Sequence, residues 1–148
     1  MLTGKICPGV AAFGIVKTKN EKLILFGGMQ EFRVLSNTLY TFDTINFHWS
    51  TIKNVMGQTP AARLGHSFTL IDDNRIYLFG GLTKINNYPQ KECYRYMSDL
   101  HILHNHSKNK YAWEKIETAI QPAARESHSA VFYHNNNTNQ KHLIIFGG

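Results

Sequence analysis

Pro60-Ala61-Ala62-Arg63-Leu64-Gly65-His66-Ser67 returns as Pro122-Ala123-Ala124-Arg125-Glu126-Ser127-His128-Ser129, with six of eight positions identical. An eight-residue word repeated at an offset of 62 residues (60 to 122) marks an internal repeat, so the repeat unit must be found before local structure is assigned. A weaker copy, Val10-Ala11-Ala12-Phe13-Gly14, puts Phe13 at the histidine position.

Each word leads to a second one. Phe26-Gly27-Gly28, Phe79-Gly80-Gly81 and Phe146-Gly147-Gly148 close the apolar runs 22–25, 75–78 and 142–145. Phe13 to Gly27 and His66 to Gly80 are both 14 residues, whereas His128 to Gly147 is 19. The five extra residues are expected in the polar, turn-forming stretch 135–140. A third word is aromatic: Leu39-Tyr40-Thr41-Phe42-Asp43 leads to Trp49, and Asp99-Leu100-His101-Ile102-Leu103 leads to Trp113. Both tryptophans are followed by isoleucine three residues later, at Ile52 and Ile116.

The runs between the words are short, apolar or alternating, and bounded by turn residues such as Asp72-Asp73-Asn74, which reads as a hairpin connection. No 11-residue stretch sustains a helical period. The reading is all-β, with four short strands in each unit of about 50 residues, the pattern of a propeller blade. The diglycines are expected where backbone passes closely or φ turns positive. Tyr40, Trp49 and Trp113 are expected to fill the wedge between neighbouring blades. His66 and His128, repeated once per unit, are expected to be structural and tied to backbone at the start of a strand.

Composition narrows the function classes. The chain has 148 residues, 43% hydrophobic and 18% charged, which is ordinary for a folded domain. Apolar runs such as 23–26 reach four residues, far short of the roughly 20 that a spanning helix needs. No secretory segment is visible in residues 1–14, and Cys7 and Cys93 fit no metal or redox spacing, so a reducing compartment is the expectation. The net charge of +6 is scattered, with no run of five basic residues, so direct nucleic-acid binding is not expected.

With the words Ala11 to Gly14, Leu25 to Met29, Arg63 to Phe68, Tyr77 to Leu82, Arg95 to Leu100 and Arg125 to Ser129 in this order, the chain resembles the kelch-repeat propellers. More narrowly, it resembles the kelch domain of the host cell factor family of transcriptional coregulators. The resemblance implies a non-catalytic protein-interaction module in the nucleus, with the cytoplasm as the alternative. Its partners would be transcription factors carrying short acid, histidine and tyrosine motifs, and chromatin-modifying complexes. The runner-up is a kelch substrate receptor of a ubiquitin ligase or a cytoskeletal kelch protein. The expected architecture over 1–148 is an incomplete kelch β-propeller of about two and a half blades: a blade at 13–53, a blade at 66–117 and a half blade at 128–148. That number cannot close a ring of 4–8 blades.

Chemistry has little foothold. His101, His104 and His106 lack a fourth ligand, and 104 and 106 are expected in a turn, so no metal or cofactor is expected. Neither Ser67 nor Ser129 lies in a nucleophile elbow. Arg63 and Arg125 are the residues to single out. Each offers a planar fork either to a partner's carboxylate or to carbonyls and an acid of its own loop. The loops after the first two diglycines are the other candidates. Phe32 and Arg33 in one, and Tyr88, Tyr94, Arg95 and Tyr96 in the other, have the aromatic-plus-arginine mix of interface hot spots.

Overall fold

The computed structural model describes residues 3–4, 9–85, 92–106 and 110–148. Cys7, Tyr88 and Ser107 lie outside the described residues. The strands in chain order are β1 (Thr3–Gly4), β2 (Gly14–Lys17), β3 (Lys22–Phe26), β4 (Leu39–Asp43), β5 (His48–Ile52), β6 (Val55–Met56) and β7 (Ser67–Asp72). They continue with β8 (Arg75–Phe79), β9 (Leu82–Ile85), β10 (Cys93–Tyr96), β11 (Leu100–His106), β12 (Lys110–Ile116), β13 (Ser129–Asn135) and β14 (Gln140–Phe146).

Two five-stranded sheets and one hairpin form the body. The first sheet runs β1-β5-β4-β3-β2, the second β6-β12-β11-β8-β7, and β13 pairs with β14. The inner edge strands of the three sheets lie together, β7 packing against both β2 and β13. The sheets therefore splay from one line, as blades do from a channel, and the molecule is an incomplete propeller.

Each complete blade has one strand more than the four read from the sequence. Val55 and Met56 pair in parallel with Tyr111 and Ala112 at the outer edge of the second blade, and β1 does the same against His48 and Trp49. A two-residue strand carries too little periodicity to be seen in a sequence. The long segment between Gly81 and Asp99 contains a hairpin, β9 against β10, with Lys84 opposite Tyr94. The insertion in the last unit is a turn at 136–139 that also lengthens both flanking strands to seven residues. Asn135 Oδ1 caps that turn by accepting from the amides of Asn137 and Thr138.

The core lies between the first two blades. Ile24, Phe26 and Leu39 on one side meet Phe68, Ile76, Leu78, Leu103, Tyr111 and Trp113 on the other. The Trp113 ring packs edge-on against Phe26, centroids 4.9 Å apart. Trp49 occupies the corresponding place in the first blade, where it packs on Phe42 and is half-buried. Tyr40 is also half-buried, opposite Leu25 and Thr51.

Blades are locked to one another by main-chain bonds that repeat. The amides of Gly28 and Gly81 donate to the carbonyls of Arg63 and Arg125, both at 2.8 Å. The amides of Arg63 and Arg125 donate back to Ser36 and Met97, both at 3.1 Å. The second blade is thus stitched to the first as the third is to the second. Gly80 shows why glycine is needed: its φ is +67°, and a Cβ there would lie 2.7 Å from the Arg125 carbonyl oxygen.

Candidate loop-face interaction site

Arg63 is fully buried, and its guanidinium is engaged inside the second blade. Nε donates to the Ala61 carbonyl at 3.0 Å and Nη1 to the Gly80 carbonyl at 2.9 Å. Nη1 and Nη2 then hold the two Asp99 oxygens at 2.7 and 2.8 Å. His101 Nε2 donates to the same carboxylate at 2.8 Å. Burial alone would raise the Asp99 pKa, but the hydrogen bonds from Arg63 and His101 outweigh it and hold the carboxyl well below the usual range. Of the two roles open to Arg63, the structure places it in the internal one. Its fork is closed to a partner.

Arg125 repeats part of this arrangement, donating to the Ala123 carbonyl at 3.1 Å and the Gly147 carbonyl at 2.9 Å. It is half-buried, and no carboxylate is paired with it among the described residues.

The repeated histidines wedge neighbouring blades apart. His66 packs edge-on against Phe26 at 5.7 Å, and His128 against Phe79 at 5.4 Å. His128 is hydrogen-bonded to the Ser67 hydroxyl at 2.9 Å. At the position corresponding to Ser67, the first blade has Gly14, which lies directly against the His66 ring. Neither nitrogen of His66 makes a well-formed hydrogen bond among the described residues. Its main role is packing, and the backbone tie expected of it is reduced to a weak contact with the Phe26 main chain. Burial, reinforced by the Arg63 charge, pushes its pKa down to about 3, so the ring stays neutral.

The His101, His104 and His106 cluster disperses. His104 and His106 lie in β11, not in a turn, and their rings stack at 5.8 Å. His104 Nε2 is 2.7 Å from Glu114 Oε2, while His101 faces Asp99. Among the described residues no group of three or more His, Cys, Asp and Glu side chains could hold a metal ion.

The loops after the diglycines meet. Glu31–Arg33 form a short 3-10 turn in which Phe32 and Arg33 have φ of 56° and 58°. Left-handed backbone costs about 1–2 kcal/mol for a residue with a Cβ, and here it presents Phe32 to solvent at 93% exposure. Behind it lies a cleft of about 360 Å³. The turn supplies Phe32, Arg33, Val34 and Leu35; the second blade supplies Ala61, Ala62, Thr83 and Lys84. Thr83 is fixed there by its hydroxyl, which donates to the Ala62 carbonyl at 2.7 Å. Arg95 and Tyr96 lie on β10, exposed, and do not line the cleft. In the sequence Thr83 and Lys84 fall within a long loop, and the only signal for them is the β-branched Thr83 and Ile85 on either side of Lys84, a strand pattern.

Three comparisons bear on this geometry. The family model described as host cell factor, kelch-repeats domain, matches residues 1–148. The chain is 39% identical to host cell factor 1 of Homo sapiens over 98% of its length, spanning 7% of that protein. It is 35% identical to host cell factor 2 of Homo sapiens, spanning 19% of that protein, and 34% identical to host cell factor of Drosophila melanogaster, spanning 10%. Among solved structures, YjhT superposes with a TM-score of 0.64 at 20% identity, covering 95% of this chain and 39% of the other, which speaks to the fold alone.

Proposed function

The chain belongs to the host cell factor kelch-repeat family, and on that premise we propose that it is a non-catalytic interaction module of a transcriptional coregulator. In this reading it works in the nucleus, joining transcription factors to chromatin-modifying complexes. It captures protein segments that carry an acid, a histidine and a tyrosine. The observation that carries the reading is the loop-face cleft, where an exposed phenylalanine on strained backbone stands beside Arg33 and Lys84. An aromatic anchor next to cationic donors suits a short segment pairing a carboxylate with aromatic side chains. Arg95, Tyr96 and Arg125 are further contact candidates around that face.

The test is the affinity of a fluorescent peptide containing glutamate, histidine and tyrosine for the chain and for its Phe32→Ala and Arg33→Ala variants. Loss of a hot-spot aromatic costs about 2 kcal/mol or more, roughly thirtyfold in affinity. Both variants are expected to bind weakly while keeping the parent's melting temperature. Parent-like binding by both would move the site away from this cleft.

A further inference from the structure

Two cations that line the cleft come from different blades and converge on one carboxylate. Lys84 Nζ lies 3.1 Å from Glu92 Oε1, and Arg33 Nη1 lies 3.6 Å from Glu92 Oε2. The Tyr94 hydroxyl donates to Glu92 Oε2 at 3.1 Å, which tethers the carboxylate that the two cations share. Glu92 is exposed. It precedes β10, on the arm of the hairpin opposite Lys84, so through its two ion pairs it bridges the first blade's turn and the second blade's hairpin.

We propose that Glu92 is a built-in competitor for the loop-face cleft: it holds Arg33 and Lys84 as an incoming peptide's carboxylate would, and that carboxylate displaces it on binding. The inference rests on the reading of this face as a peptide site, and it adds how that site is kept closed to weak or uncharged segments. Arg33 and Lys84 both line the cleft, and in the free chain they share one carboxylate that offsets part of their charge. A segment with an acid replaces like with like and gains its remaining contacts at little electrostatic cost. A segment without one must leave Glu92 in place. The bonds to be broken are exposed ones, weak enough to exchange, so Glu92 sets a threshold and not a block. In the free chain the hydrogen bonds from Lys84 and Tyr94 lower its pKa.

The experiment uses two fluorescent peptides that differ only in carrying glutamate or glutamine, titrated against the chain and its Glu92→Gln, Tyr94→Phe and Arg33→Gln variants. Glu92→Gln is expected to bind the glutamate peptide about twofold to fivefold tighter, the range that one exposed ion pair spans, with the glutamine peptide unchanged. Tyr94→Phe, which keeps the charge and loosens its tether, is expected to tighten glutamate binding by less. Arg33→Gln is expected to lose the preference between peptides. Glutamate binding that is unchanged or weaker in both Glu92→Gln and Tyr94→Phe would overturn the competitor role while leaving the peptide site standing. Failure of every variant to bind either peptide would overturn both.

Discussion

Arg63 and Asp99 form a two-pronged ion pair across 36 residues of chain, and the first blade lacks both of its members. The register that matches His66 to Phe13 puts Val10 in the place of Arg63. Leu39 and Leu100 pair with Phe26 and Phe79, so Thr38 stands in the place of Asp99. The pair is absent as a unit, as a buried charge requires, because either member alone would be uncompensated.

Asp99→Ala should therefore destabilise the chain by about 3–5 kcal/mol, leaving a buried guanidinium unpaired. The double variant Arg63→Val with Asp99→Thr, which copies the first blade, should recover a large part of that loss. Urea denaturation midpoints of the parent, single and double variants check this. A double variant less stable than the single would contradict the paired logic.

His66 makes stability depend on pH. Its folded pKa is near 3 and its unfolded value near 6.5, so the unfolded chain binds the extra proton between those limits. Its contribution is fully present above about pH 6.5 and is lost as the pH falls, at about 1.4 kcal/mol per unit. His128 is shifted in the same direction and adds to the trend. His66→Leu should flatten the slope of unfolding free energy between pH 6.5 and 4. An unchanged slope would show that the ring titrates freely in the folded chain.

Gly80→Ala should cost about 1–2 kcal/mol from its positive φ alone, and more from the approach to the Arg125 carbonyl. Gly9→Ala is the control, with nothing among the described residues within 4 Å of the added carbon. Thermal melts should separate the two clearly, and equal melting temperatures would refute the close-packing account of the diglycine.

Truncating the two tryptophans should have unequal effects. Trp113 is buried against Phe26, so Trp113→Ala should cost about 3–5 kcal/mol. Trp49, half-buried on Phe42, should cost distinctly less. Equal losses in chemical denaturation would mean that the inter-blade wedge is not where the stability resides.

The repeated words, the diglycines and the paired tryptophans determine the all-β repeat and the spacing of its blades, because each is a local demand. Glycine is required where a positive φ coincides with close backbone approach, a flat hydrophobe where sheets diverge, and a turn where charge and asparagine cluster. A chain carries such demands in its own order. The tertiary structure alone decided which side chains those blades leave free. Arg63 and Arg33 are both arginines in loops, alike in sequence. One is closed inside because Asp99 reaches it from the start of a strand 36 residues away. The other faces a cleft because two loops from different blades come side by side. The histidines divide for the same reason: Ser67 meets His128, while Gly14 offers His66 no hydroxyl. Partners brought together across blades are set by how sheets stack, and no stretch of sequence encodes that pairing locally.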